Sequence, residues 1–139
     1  MDRQEVLLDN GSQVVALISK GRTKEEILAL TKKIASQNAE MMLWRLDYFE
    51  HVTEMNYLLE LAKQVRASLR GIPLLITFRT QGQGGNTELG SEDAYLNLVK
   101  IVINFSLGDA IDIEMSHTQD RIQSLIEDAH NKGMKVVIN

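Results

Sequence analysis

Apolar residues fall along this chain in short runs, separated by longer segments in which they recur every three or four positions. Five runs read as strands, at residues 14–19, 41–45, 73–78, 110–115 and 135–138. They are nearly continuous in apolar residues, as strands covered on both faces are. The four segments between them have helical spacing. Thr23 and Glu26 make a capping box ahead of Ile27, Leu30, Thr31 and Ile34 in the first. Thr53 is placed to cap the second, with a buried stripe at Met55, Leu58, Leu59, Ala62, Val65 and Leu69, and Gly71 and Pro73 stop it. Ser91 is placed to cap the third, turning Ala94, Tyr95, Leu98, Val99, Val102 and Phe105 to a sheet. The fourth spans about 118–132, carries Ile122, Leu125, Ile126 and Ala129, and meets a left-handed stop at Gly133.

The order β-α-β-α-β-α-β-α-β predicts an α/β protein built from parallel βαβ units. Right-handed units of this kind make either a doubly wound sheet or part of a barrel, and periodicity does not choose between them. The first strand–helix turn, Ser19-Lys20-Gly21-Arg22-Thr23, lacks a G-x-G-x-x-G, so a dinucleotide site has little support. At 139 residues the chain fits one domain with its own core. A net charge of −4 without a basic block argues against nucleic acid as a partner. The absence of cysteine removes disulfides, thiolate metal sites and cysteine nucleophiles. No apolar run is long enough to span a bilayer and residues 1–10 do not read as a signal, so a cytoplasmic protein is expected.

In parallel α/β proteins, chemistry gathers where strands end. Arg45 and Arg79 close the second and third runs, and two guanidinium groups there could clamp a carboxylate or phosphate. Pairing with Asp47, Asp112 or Glu114 is the commoner use of such arginines. The glycine-rich stretch 82–85 could cradle an anion or be a plain surface loop. Asp112 and Glu114 alternate by two and share a face, which suits acid–base work or structural pairing. His51, His117 and His130 show no metal-ligand spacing and read as solvated or capping residues; no metal is expected. Lys20 reads as an exposed turn lysine, Trp44 and the methionines 41, 42 and 55 as core filling.

Several strings nonetheless coincide with one family. Trp44-Arg45-Leu46-Asp47-Tyr48-Phe49 resembles the E-W-R-x-D-x-F signature of type I 3-dehydroquinate dehydratases. Pro73-Leu74-Leu75-Ile76-Thr77-Phe78-Arg79-Thr80, with Gly84-Gly85 after it, resembles their P-x-x-x-T-x-R-[ST] strand and E-G-G. Asp109-Ala110-Ile111-Asp112-Ile113-Glu114 resembles the D-x-I-D-x-E strand, and the turn from Gly21 to Glu26 and the stretch from Ala129 to Val137 agree as well. The resemblance runs in order over essentially the whole chain. It implies a partial (β/α)8 TIM barrel, a half-barrel of a lyase that converts 3-dehydroquinate to 3-dehydroshikimate. In that family a lysine forms a Schiff base with the ketone, a histidine moves protons, the E-G-G glutamate assists, arginines bind substrate polar groups, and no cofactor is needed.

Two positions depart from the family. Leu43 stands for the glutamate of E-W-R, leaving an apolar group in a polar mouth, and Gln83 stands for the glutamate of E-G-G, keeping the shape but not the titrating proton. Of the family's substrate contacts only Arg45 and Arg79 match, and the histidine and Schiff-base lysine would follow position 139. The resemblance thus implies that these residues alone are inactive. It leaves open completion by a second chain and a binding module for a small carboxylate or phosphate. Half a barrel would expose two parallel sheet edges and an apolar inner face, so a homodimer or a complementary half-barrel partner is expected.

Overall fold

The predicted strands and helices all form in the computed structural model, which describes residues 1–81, 85 and 89–138. The elements are β1 (Arg3–Leu7), β2 (Gln13–Ser19), α1 (Lys24–Ser36), β3 (Met41–Arg45), a 3-10 turn (Leu46–Tyr48), α2 (Met55–Leu69), β4 (Leu74–Thr77), α3 (Glu92–Asn104), β5 (Ala110–Ile113), α4 (Gln119–Asn131) and β6 (Lys135–Ile138). One sheet runs β1-β2-β3-β4-β5-β6. The pairs from β2 to β6 are parallel, and β1 lies antiparallel on β2. Each crossover carries a helix, and the unbroken strand order is that of an opened barrel wall.

Successive strand residues face opposite sides. Met42 and Trp44 on β3, Leu74 and Ile76 on β4 and Ile111 and Ile113 on β5 join the core formed with the helices, among them Ile27, Leu58, Val65, Tyr95 and Val99. The alternate residues Ala16, Met41, Leu43, Leu75 and Ala110 form a second apolar layer on the inner side of the wall, together with Val6 and Leu8.

The helix ends repeat most of the expected chemistry. Thr23 Oγ1 accepts the Glu26 N–H, and Glu26 Oε2 accepts the N–H groups of Arg22 and Thr23. Ser91 Oγ accepts the Ala94 N–H at 3.1 Å, and Gly133 has φ +75°. Thr53 does not cap α2, which begins at Met55 behind Glu54; the Glu54 carboxylate pairs instead with His51. Two residues assigned to buried stripes face outward, Met55 at 38% and Phe105 at 59% exposure. Phe105 follows the last turn of α3, where Ser106 takes φ 49° and swings the chain away from the helix path.

The sequence reading missed β1. Four of its five residues are exposed, so it carries almost no apolar signal. Its consequence is large, because an antiparallel hairpin replaces one of the two expected parallel edges. The tip of that hairpin reaches the opposite end of the sheet. Asp9 N–H donates to the Val136 carbonyl at 3.0 Å, Asp9 Oδ1 accepts the Val136 N–H at 3.1 Å, and Asp9 Oδ2 meets His130 Nε2 at 2.5 Å. One aspartate therefore fastens residues more than 120 positions away, while Val6 and Leu8 cover the inner apolar layer.

That clasp has a pH signature. Burial alone would raise the Asp9 carboxyl, but the bonds from His130 and the Val136 N–H hold it below the ordinary carboxylate value of 3.8. A depressed native pKa gives stability that is present above pH 3.8 and lost as pH falls through the native value. Urea midpoints recorded between about pH 5 and 3 should fall less steeply for Asp9→Asn than for the unmodified chain. Identical slopes would mean the clasp contributes nothing.

Candidate functional site

The inner face changes character one layer above Leu43. Leu43 is 1% exposed and lies beside Ile18 and Leu75 in register, within the apolar layer. The expectation of an apolar intruder in a polar mouth is thus corrected, since its neighbours are apolar too. The next inward position is Arg45, opposite Thr77. From there upward the wall is polar, with Asp112 and Glu114 both buried.

Arg45 is 9% exposed, and its side chain is held by a carboxylate two residues along its own chain. The 3-10 turn at Leu46–Tyr48 folds the chain so that fully buried Asp47 returns to it. Arg45 Nε donates to Asp47 Oδ1 at 2.8 Å and Nη2 to Oδ2 at 2.7 Å, a two-pronged pair. Burial works to lower the guanidinium pKa, but the Asp47 bonds and charge outweigh it and leave it above its ordinary value. The guanidinium also lies over Tyr48, 5.0 Å from the ring centroid. Asp47 Oδ1 takes a longer contact of 3.4 Å from the Arg79 backbone N–H. The two expected arginines are therefore tied to one carboxylate, Arg45 by its side chain and Arg79 by its backbone.

The other wall of the mouth is built on Glu114. Its Oε2 accepts the Thr80 N–H and its Oε1 the Thr80 hydroxyl, both at 3.0 Å. The buried hydroxyl of Tyr95 accepts the Glu114 N–H at 3.0 Å. Burial pushes this phenol above its ordinary range. His117 Nε2 meets Glu114 Oε1 at 3.1 Å, its Nδ1 lies 3.4 Å from Glu92, and its ring stacks on Tyr95 with centroids 4.6 Å apart. His117, 13% exposed at its side chain, is neither solvated nor a cap. Thr77 Oγ1 lies 3.5 Å from Asp112 Oδ2. Asp112 and Glu114 thus both serve structural contacts to the end of β4.

Lys20 is 41% exposed, 3.5 Å from Asp2 and 5.8 Å from the Tyr48 ring, close to the turn lysine expected. His51 stacks on Tyr57 and pairs with Glu54, and His130 belongs to the Asp9 clasp, so neither is merely solvated. Trp44 is fully buried, as expected. Gln83 and the glycines 82 and 84 lie outside the described residues. Gly85 N–H donates to the Thr80 carbonyl at 2.8 Å, and a Cβ at 85 would stand 1.6 Å from the Arg79 carbonyl oxygen, so only glycine fits. Sequence reasoning missed the roles of Tyr95, Thr80 and His117. Asp47 had a signal, because it stands two residues after Arg45 in the signature string. Among the described residues no three of His, Asp and Glu gather as a metal site, and no helix is long and apolar enough to cross a membrane.

Comparison with known proteins bears on this arrangement. The sequence pattern of the type I 3-dehydroquinase family matches residues 15–139. The 3-dehydroquinate dehydratase of Klebsiella pneumoniae subsp. pneumoniae is 33% identical over 136 residues, covering 98% of this chain and 54% of that protein. That of Lactiplantibacillus plantarum is 34% identical over 119 residues, 86% of this chain and 47% of that one. The 3-dehydroquinate dehydratase structure from Enterococcus faecalis superposes with a TM-score of 0.83 at 32% identity, covering 88% of this chain and 51% of that chain. The type I enzyme of Clostridium difficile, solved with covalently modified comenic acid, gives 0.84 at 29% identity, covering 99% and 56%. The chain spans about half the length of the curated relatives it matches. On this pattern match, this identity and this half-barrel fold, the chain belongs to the type I 3-dehydroquinase family.

Proposed function

We propose that Arg45 and Arg79 hold the polar groups of a hydroxylated carboxylic acid of the 3-dehydroquinate kind, and that these 139 residues by themselves do not dehydrate it. The binding half of this reading rests on the Arg45–Asp47 pair, which keeps a guanidinium oriented at the mouth of the sheet with two of its nitrogens fixed. Preorganised in this way, the group has less freedom to lose when an anion arrives. The catalytic half rests on the lysines. A Schiff-base lysine needs a desolvated or cation-rich site to lower its pKa. Of the eight lysines, Lys24 is half-buried on α1 and the other seven are exposed. Leu43 and Gln83 supply no carboxylate where the family signature has one.

A second reading has support from coverage: the chain spans only 51% and 56% of two structural relatives, which suits completion of the site by a further polypeptide segment. One experiment separates the two. The purified chain is given 3-dehydroquinate, product formation is followed by absorbance, and a borohydride-trapped adduct is sought by mass. Both should be absent, and either signal from the chain alone overturns the first reading. Activity that appears only on adding a polypeptide carrying the other half of the Klebsiella enzyme supports the second. Light scattering on the same sample tests the partner we propose, a second copy of the chain; a compact monomer at micromolar concentration removes it. Calorimetry with quinate tests the arginines, since Arg45→Ala should abolish a heat that the unmodified chain gives.

A further inference from the structure

We propose that His117 is a positioning residue for the anion mouth: through Glu114 it fixes Thr80, and with Thr80 the adjoining Arg79 and the Gly85 amide that Thr80 receives. The inference rests in part on the binding role proposed for Arg79. All three polar groups of Thr80 are engaged. Its N–H and hydroxyl go to the two oxygens of Glu114, and its carbonyl accepts the Gly85 N–H. One residue earlier, the Arg79 N–H goes to Asp47. The segment carrying Arg79 is thus held from the β3 side by Asp47 and from the β5 side by Glu114.

Glu114 is held at two further places as it grips Thr80, on its carboxylate and on its backbone N–H. His117 Nε2 bonds the same Oε1 that receives the Thr80 hydroxyl. Tyr95 Oη accepts the Glu114 N–H while its ring supports the imidazole. The imidazole is held at its far nitrogen by Glu92, which also accepts the N–H and hydroxyl of Thr118 at 2.8 and 3.0 Å. His117 therefore sits between an anchored carboxylate behind it and a buried one, 3% exposed, in front. Removing the imidazole leaves Glu114 its Thr80 bonds but takes away the group that keeps the carboxylate turned toward them.

Amide hydrogen exchange tests this without a ligand. In His117→Ala the Thr80 and Gly85 amides should exchange at least tenfold faster, while the Val136 amide in the distant Asp9 clasp keeps its rate. His117→Gln, whose side-chain amide can still donate to Glu114, should restore most of the protection. Unchanged exchange at Thr80 overturns the proposal, and so does an equal acceleration at Val136, which would mark a general loss of stability. Quinate titration adds a second reading: a several-fold weaker affinity in His117→Ala, recovered in His117→Gln, is expected. If the unmodified chain binds no quinate, the arginine reading falls, and the exchange result alone still decides the role of His117.

Discussion

Asp47→Ala is expected to cost about 3–5 kcal/mol, because it leaves a buried arginine without the carboxylate that takes two of its N–H groups. Asp47 is fully buried and Arg45 is 9% exposed, so water cannot replace the two lost bonds. The Arg79 N–H loses its contact as well. Set against the roughly 5–15 kcal/mol by which a domain is stable, the loss is severe. Urea unfolding followed by tryptophan fluorescence measures it. Asp47→Asn keeps the shape and one acceptor but not the charge, and should fall between the two. Removing both partners, with Arg45→Met and Asp47→Leu together, should recover much of the stability, since the cost lies in the stranded charge more than in the lost pair. The double variant should nevertheless bind no quinate. If Asp47→Ala lies within about 1 kcal/mol of the unmodified chain, the pair is not the foundation of the mouth.

Trp44→Ala is expected to cost a similar amount, about 3–5 kcal/mol, for a different reason. Trp44 is fully buried on the helix side of β3, beside Ser19 and Ile76 in the neighbouring strands. It faces away from Arg45, yet it locks the strand that presents Arg45, and truncation leaves a cavity under α1 and α2 that packed helices cannot close. Its indole N–H has no hydrogen-bond partner among the described residues. Trp44→Phe should therefore lose far less, below about 1.5 kcal/mol, because a phenyl ring still fills most of the site and no hydrogen bond is lost. Thermal midpoints of both variants, read by circular dichroism, distinguish packing from hydrogen bonding. Equal losses in the two would show that the indole nitrogen carries the effect.

The signals that were legible in the sequence are local. A strand covered on both faces must be apolar throughout, and a helix lying on a sheet must repeat every three or four residues. The five parallel strands and four helices therefore announced themselves. So did the caps at Thr23 and Ser91, where a side chain three residues from its partner can act only within one turn. The stop at Gly133 is local too, because its positive φ suits glycine wherever it stands. Arg45 and Arg79 were legible because strand ends are where inward side chains meet solvent.

Where the reading failed, the deciding partner was far along the chain or depended on a bend. β1 is four-fifths exposed and gains its place from β2 and from a hairpin tip that Val136 and His130 receive. The cap of α2 moved from Thr53 because the chain after the 3-10 turn delivers Glu54, not Thr53, to the start of the helix. Leu43 was misjudged because whether its level of the wall is polar depends on Ile18 and Ala16 of β2 and Leu75 of β4, the two strands that flank it.

By itself, the order of apolar and polar residues determined a run of parallel βα units and the strand ends at which two arginines sit, since backbone geometry converts spacing directly into faces; that the units make part of a barrel was legible only through the family's motifs. Only the tertiary structure decided which carboxylate each arginine meets, that His117 stands behind Glu114, and that the hairpin fastens the far edge. Those choices are contacts between distant segments, and they form only after the sheet has brought the segments together.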